Sequence, residues 1–442
     1  MPSEFATNFW ARYQQLNAEQ KDAVDTIDGP VMVIAGPGTG KTELLSLRVA
    51  NILRQTDTLP SSILCLTFTD SAAVNMRQRL AQIIGPLANK VAVHTFHSLG
   101  NEMINQNPEV FFFSTDYRPI DELATISILD EIFTKLAPTD PLNKKHSTQG
   151  WAFLRDVQSR VSDLKREGIS PVVFQQILDD NEQFFTLARP IIAEFFSNRI
   201  SVSLVQSLYS QLLEPIRNLS VSEKQPNYSF RKLILYSLEN LINSLFAEAK
   251  LTTTKLTLWR NRFCKRDNQG VWRLRADVDS PKYRSLALMY QDYQERLHQL
   301  GLFDFDDMLL EVVQVLETSD NLRLTYQEQF LYILVDEYQD TSGVQSKLLD
   351  CLVNLELTNN RPNLLVVGDD DQAIFKFQGA SLSNILRFRQ QYPGCKTIVL
   401  SKNYRSRKPI LDLASQLIQN CQQRLATLEN LTKPLISMYT QV

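Results

Sequence analysis

Apolar residues along this chain follow two periods, and each change of period marks a change of element. Residues 9–27 have the three- and four-residue spacing of a helix. The β-branched run Val31–Ala35 leads through a glycine-rich turn into a second helical stretch, 43–54, which carries Leu44, Leu47, Ile52 and Leu53. Unbroken apolar runs of strand length follow at 63–68 and 91–93, separated by a helical pattern over 71–84. From 105 to 300 the strand signal disappears. Helical spacing takes over at 126–136, 152–164, 172–178 and 233–246, with Phe111-Phe112-Phe113 near the start of the block. Strand runs return at 331–335, 363–367 and 397–400. Short buried strands alternating with helices predict an α/β fold around a parallel sheet, and the helical block reads as a large insertion into it. The predicted division is 1–104 and 301–395 for the two parts of the α/β domain, 105–300 for the insertion, and 396–442 for the start of a second domain.

Composition narrows this picture without changing it. The chain has 442 residues, 43% of them hydrophobic, with only 14 glycines and 18 prolines, which suits globular domains rather than low-complexity sequence. Its net charge of −3 means that a nucleic acid would be held by local basic patches, not by overall charge. The five cysteines show no C-x-x-C pairing and no metal-ligand spacing, so they read as reduced thiols. The chain opens without a leader pattern and holds no run of 18 apolar residues; the expected location is cytoplasmic, with no membrane partner.

The strongest chemical signal is Ala35-Gly36-Pro37-Gly38-Thr39-Gly40-Lys41-Thr42, placed between a strand and a helix. Backbone N–H groups of such a turn converge on one concavity, and the helix dipole adds partial positive charge there. The pattern is that of a phosphate loop, with Ala35 standing where the strict form has glycine. Lys41 would reach the β- and γ-phosphates, and the Thr42 hydroxyl would ligate Mg²⁺. Downstream, the run 331–335 ends in Asp336 and Glu337. Two adjacent carboxylates at the end of a buried strand are costly without a task. Beside a phosphate loop, Asp336 suits Mg²⁺ and Glu337 suits orientation and deprotonation of an attacking water. Gln372, after the run 363–367, is placed to sense the γ-phosphate, and Arg405, after the run 397–400, is a candidate arginine finger.

Other stretches carry two readings each. Gln20 lies about one helix length before the loop and can donate and accept toward the edge of adenine, or serve as a surface polar residue. Phe68 ends an apolar strand, where it either stacks a base or fills the core. His94 and His97 have the spacing of a metal pair but lack acidic or thiol partners nearby, so hydrogen bonding fits them better. Residues 255–284 hold nine Lys or Arg against three Asp, interleaved with Trp259, Phe263, Trp272 and Tyr283. That mixture suits nucleic acid, with cations on phosphates and rings on bases, and equally a solvated face with its rings turned inward.

Taken in order, Leu-Asn-Ala-Glu-Gln (16–20), Gly-Pro-Gly-Thr-Gly-Lys-Thr (36–42), Thr-Phe-Thr (67–69), His-Thr-Phe-His-Ser (94–98), Asp-Phe-Asp-Asp-Met (304–308), Val-Asp-Glu-Tyr-Gln-Asp-Thr (335–341), Gly-Asp-Asp-Asp-Gln (368–372) and Asn-Tyr-Arg-Ser (403–406) resemble the UvrD/Rep/PcrA group of superfamily 1 DNA helicases. The resemblance covers nearly the whole chain. It implies ATP-driven motors that move 3′ to 5′ on single-stranded DNA and open duplex at junctions, built from two RecA-like domains that close on ATP. By motif position it implies that Gln20 reads adenine, that residues 35–42 bind phosphate, that Thr42 and Asp336 hold Mg²⁺, and that Glu337 activates water. It further implies that Gln372 and Arg405 contact the γ-phosphate, that Tyr404 stacks on the base, and that Phe68, Thr95, His97, Phe375 and Phe377 face single-stranded DNA.

The departures from that group are specific. Glu43 stands where an arginine often stacks on adenine, Phe377-Gln378 replaces a Trp-Arg pair, and Asp70-Ser71 replaces Asn-Lys. The helical insertion reads as longer than in the best-known members. The later motifs of the group and most of its second motor domain do not follow Asn403-Tyr404-Arg405-Ser406, so the chain reads as the N-terminal part of a helicase, with a C-terminal motor domain or repair partners supplied elsewhere. Three expectations follow: a DNA helicase of repair or recombination, an ATP-binding DNA-sensing module without unwinding, or an unrelated P-loop enzyme such as a small-molecule kinase. DNA would leave the ATPase of the third unchanged.

Overall fold

Six parallel strands carry the site, in a computed structural model that describes residues 3–111, 117–146, 150–247, 251–353, 361–372, 382–419 and 435–439. They are β1 (Val31–Ala35), β2 (Ile63–Thr67), β3 (Ala92–Thr95), β4 (Tyr332–Val335), β5 (Leu364–Gly368) and β6 (Lys396–Leu400). Their order across the sheet is β6-β1-β5-β4-β2-β3, with every neighbouring pair parallel. Side chains of a strand alternate between faces, and the cores follow that alternation. Val31, Val33 and Ala35 join one core, with Leu44, Leu47 and Leu80 from the helices Lys41–Gln55 and Asp70–Ile84. Met32 and Ile34 join the other, with Leu99, Val312 and Leu348 from the helices Phe96–Gln106, Phe305–Thr318 and Gly343–Leu352. A sheet covered on both faces explains why its strands read as unbroken apolar runs. All six predicted strands are present, and the α/β class holds.

Two local expectations are revised. The helical stretch 9–27 is two helices, Ser3–Tyr13 and Ala18–Asp25, because Asn17 caps the second: its side chain accepts from the Gln20 N–H, and Gln20 Oε1 accepts from the Asn17 N–H in return. Lys396–Leu400, expected to open a second domain, forms edge strand β6 beside β1 in the first sheet. After it, the helix Lys408–Ile418 buries only Leu411 and leaves Ile410, Leu413 and Leu417 at 59–66% exposure.

The chain divides into two compact units, one of residues 1–119, 165–168 and 303–442, the other of 120–164 and 169–302. In the sheet-bearing unit the short return 165–168 is tied down electrostatically. Lys165, fully buried, sits 2.5 Å from Asp304 and 2.7 Å from Asp307, the two residues of a capping box that starts the helix Phe305–Thr318. Arg166 pairs with Asp306 at 3.1 Å. The second unit is helical, dominated by Glu122–Thr134, Pro171–Phe195, Phe230–Phe246 and Arg275–Gln299. Against the expectation of helix alone, it also holds two small antiparallel pairs, Lys145–His146 with Gly150–Trp151 and Cys264–Arg266 with Trp272–Leu274.

Candidate active site

β1 and β4 flank β5, so the loops leaving their carboxyl ends open side by side at one edge of the sheet, where open α/β sheets bind ligands. After β1 the chain turns through Gly38 (φ 69°) and Gly40 (φ 86°), both in the left-handed region that other residues avoid. Glycine is required there on space as well: a Cβ on Gly38 would lie 2.6 Å from Arg405 Cβ, and one on Gly40 would lie 2.9 Å from Gln20 Nε2. The Thr39 hydroxyl ties the turn by donating to the Gly36 carbonyl at 2.8 Å. Lys41 is the first residue of the following helix, and its Nζ donates to Glu337 Oε2 at 2.7 Å.

Glu337 reaches Lys41 from an unusual backbone. With φ 50° and ψ 45° it is the only non-glycine residue at positive φ among the described residues, a conformation that costs energy and concentrates at functional sites. Asp336 directly before it is buried, and its N–H still pairs with the Leu66 carbonyl of β2 at 2.9 Å. Burial, reinforced by the Glu337 charge and opposed by Lys41, pushes the Asp336 carboxyl up to about 6; the same forces raise Asp340 to about 6. Three carboxylates therefore share one lysine, and the site is short of positive charge.

Gln339, 1% exposed, links these groups to the next strand. Its Nε2 donates to Glu337 (2.7 Å) and Asp340 (3.2 Å), and its Oε1 accepts from the Asp369 N–H (2.9 Å) at the end of β5. Gln372 donates to the Asp369 carboxylate, which places the expected γ-phosphate sensor one residue from that network. Asp340 also borders a cavity of about 230 Å³ shared with Phe68, His97, Arg166, Phe305 and Gln345. His97 and Phe305 stack there with ring centres 4.0 Å apart, and burial pushes the His97 imidazole down to about 4.

The remaining predicted residues fall into place unevenly. Gln20 uses both ends of its amide within the protein, closing the cap on Asn17 and donating from Nε2 to the Thr39 carbonyl at 2.8 Å. Its helix is held by two buried side chains from the helix after the loop, Arg48 bonding the Ala23 and Ile27 carbonyls and Asn51 the Val24 carbonyl. Asn17 also donates to the Tyr404 hydroxyl at 3.0 Å, so the two residues expected at adenine share one corner. Asn403 Nδ2 donates to the Pro37 carbonyl and the Tyr404 N–H to the Gly38 carbonyl, which lays 403–405 along the phosphate loop with Arg405 exposed. Thr42 stands in the first turn of its helix. The Thr95 hydroxyl, expected at DNA, accepts from the Ser98 N–H as a helix cap. Phe375 and Phe377 lie outside the described residues. Glu43 pairs with Arg12 (2.9 Å) and Arg79 (3.0 Å), away from any stacking role. Phe305 and Gln339 were not singled out from sequence, although both sit inside quoted motifs.

Residues 16–393 match the family model described as the UvrD/REP helicase N-terminal domain. The chain belongs to this UvrD/REP family. The chain is 27% identical over 414 residues to the ATP-dependent DNA helicase PcrA of Staphylococcus epidermidis and 28% identical over 416 residues to that of Staphylococcus aureus. Each alignment covers 94% of this chain and 41% of the relative, so the chain spans less than half the length of these PcrA proteins. The residues of this UvrD/REP chain fit Mg²⁺ as such sites hold it. Among the described residues no three His, Cys, Asp or Glu side chains form a cage for a metal ion. The surplus of buried carboxylate around Lys41 calls for a cation all the same. Mg²⁺ takes one or two protein ligands and completes its shell with phosphate and water; here the protein ligands would be Asp336 and Thr42.

Proposed function

We propose that this chain binds and hydrolyses ATP at the loop 35–42 and couples hydrolysis to single-stranded DNA, as the N-terminal motor part of a helicase that moves 3′ to 5′ into duplex junctions. The observation that carries the reading is the Lys41–Glu337 pair at 2.7 Å, which joins the loops after β1 and β4 beside the buried Asp336. In this reading the N–H groups of Gly36 and of 38–42 cradle the phosphates, Pro37 having none to give, and Lys41 leaves Glu337 for the γ-phosphate. Thr42 and Asp336 would hold Mg²⁺, which when bound would supply neutralisation of phosphate charge. Freed of Lys41, Glu337 accepts a proton from the attacking water at its carboxylate. Gln372 and Arg405 face the γ-phosphate, while Gln20 and Tyr404 hold the adenine.

DNA enters the reading through the ring-bordered cavity. Phe68, His97 and Phe305 offer stacking surfaces to bases, and Asp340 lies both on that cavity and on the Gln339 amide that holds Glu337. A base seated there acts on the catalytic carboxylate through two hydrogen bonds. Direction of movement, a role in repair or recombination, and a cytoplasmic location rest on the family resemblance. No helix among the described residues is long and apolar enough to cross a membrane.

The test is ATP turnover by this chain with and without oligo-dT, with Lys41→Ala and Glu337→Gln as controls. The expected result is stimulation by DNA that both substitutions abolish. Turnover indifferent to DNA would overturn the reading in favour of an unrelated P-loop enzyme.

A further inference from the structure

The turn 165–168 grips the starts of two helices that border the ring-bordered cavity. The helix Leu154–Arg166 ends in this turn: the Gly168 N–H donates to the Lys165 carbonyl and the Ile169 N–H to the Leu164 carbonyl, with Gly168 left-handed at φ 67° as a helix-ending glycine is. On one side lies the capping box of the helix Phe305–Thr318. Both of its members are carboxylates, and each spends one oxygen on the other's backbone. Asp304 Oδ1 accepts from the Asp307 N–H at 3.0 Å, and Asp307 Oδ2 from the Asp304 N–H at 2.9 Å. The remaining oxygens, Asp304 Oδ2 and Asp307 Oδ1, face Lys165 Nζ at 2.5 and 2.7 Å. Two like charges this close repel each other, so the lysine is the third member of the box.

On the other side lies the helix Gly343–Leu352. A Cβ on Gly343 would lie 2.9 Å from Glu167 Cα and 2.5 Å from its Oε2, so the turn packs on the bare backbone of that helix start. Four residues on, Lys347 Nζ donates to the Gly168 carbonyl at 2.6 Å. Phe305 is the first residue of one helix and Ser342 caps the other. Both border the cavity, as does Arg166, which pairs with Asp306. The stack of Phe305 on His97, 4.0 Å between ring centres, therefore depends on how the first turn of its helix is held. Lys165, fully buried, and Lys347 are not among the residues that border the cavity.

We propose that the turn 165–168 is a clasp that sets the opening of the base-binding cavity, with Lys165 the positioning residue for Phe305. The proposal rests on the DNA reading above and deepens it. Affinity for a single strand depends on a residue that touches no base and that stands in the last turn of a helix begun in the helical unit.

The test uses the full chain and measures oligo-dT affinity, the oligo-dT concentration that half-saturates stimulation, and turnover without DNA. Lys165→Met removes the cation and strands two carboxylates, so its melting temperature falls. Adding Asp307→Asn supplies an amide that accepts from the Asp304 N–H and donates to the Asp304 carboxylate, which restores the helix start without the lysine. Lys347→Met loosens the other grip and leaves the box intact. The expected losses of oligo-dT affinity are about tenfold for Lys165→Met and about threefold for Lys347→Met, with equal rises in half-saturating DNA, and Lys165→Met/Asp307→Asn returns to within about threefold of the parent. Turnover without DNA and affinity for an ATP analogue stay within about twofold of the parent in every variant. Parent-like oligo-dT binding by Lys165→Met and Lys347→Met would overturn the proposal and leave the DNA reading standing. A fall in DNA-free turnover that matches the fall in oligo-dT affinity would also overturn it, since the cluster would then only hold the fold together. Should Lys165→Met fail to fold, unchanged affinity in Lys347→Met overturns it alone. A parent chain that binds no oligo-dT would overturn both.

Discussion

In the sheet-bearing unit Phe68, His97 and Phe305 border a cavity of about 230 Å³, with Phe305 itself 65% exposed. In the helical unit Trp272 lies under Arg260 and Arg266, and Trp259 is buried with its indole N–H satisfied. Both regions set rings beside arginine, but composition points to nucleic acid only for 255–284, where a solvated face fits equally well, while Phe68 and His97 are expected at DNA by the family resemblance. Geometry separates them. Where rings border a cavity, the proposed ligand is a base; where guanidinium groups cover a ring, its face is closed to bases. The same contrast appears in the charges, because Arg166 on the cavity is paired with Asp306, while Arg260, Arg266 and Arg275 of the helical unit are held by a ring and a carbonyl.

The contrast breaks most visibly if stacking is removed. Phe68→Ala with Phe305→Ala should lower oligo-dT affinity in an anisotropy assay at least about 30-fold, given about 1–3 kcal/mol per stacked base. Affinity that survives both substitutions would erase the distinction. Next in size is the link from cavity to carboxylate. Gln339→Met should leave DNA-free turnover within a few fold and cut stimulation by oligo-dT about tenfold, a coupling of between 0.5 and 2 kcal/mol; stimulation that survives would place the link elsewhere. A smaller effect is expected on the other unit. Trp272→Ala should lower the melting temperature by removing the ring under two arginines, at about 0.5–1 kcal/mol per exposed contact, with oligo-dT binding unchanged; a loss of oligo-dT binding here would mean that this ring too is open to bases.

The smallest effect concerns pH. The His97 imidazole is held at about 4 chiefly by burial, below its ordinary value of 6.5, so the folded state binds fewer protons than the unfolded state between those values. Its contribution is therefore fully present above pH 6.5 and is lost as pH falls toward 4. His97→Phe should flatten the decline in melting temperature across that window, and an unaltered decline would assign it to other groups.

Much of the site was legible because its chemistry is local in sequence. The loop 36–42 needs glycine for backbone reasons, and Asp336-Glu337 after a buried strand is a costly pair that announces a task. What stayed hidden depends on partners far along the chain. The apolar run 397–400 reads as a strand, but nothing in its period says that it pairs with β1 more than 360 residues earlier. Thr95 and Gln20 are polar residues in motifs, and only the fold shows that each also closes a helix cap. Phe305 reads as one more aromatic until its helix start is fixed by Lys165 between Asp304 and Asp307, an ion cluster assembled across 139 residues. The short return 165–168 likewise falls inside an apparently continuous helical block.

In the proposed mechanism Lys41 and Glu337, joined at 2.7 Å, divide phosphate binding and water activation between them. Affinity for a fluorescent ATP analogue, measured on Lys41→Ala and Glu337→Gln beside the parent chain, tests it most directly. Lys41→Ala is expected to lose binding, whereas Glu337→Gln binds as tightly as the parent or more tightly, because the carboxylate no longer competes for Lys41, and still loses turnover about 100-fold or more. Equal loss of binding in both variants would contradict it, since the pair would then be a structural tie and not the two halves of a hydrolytic site.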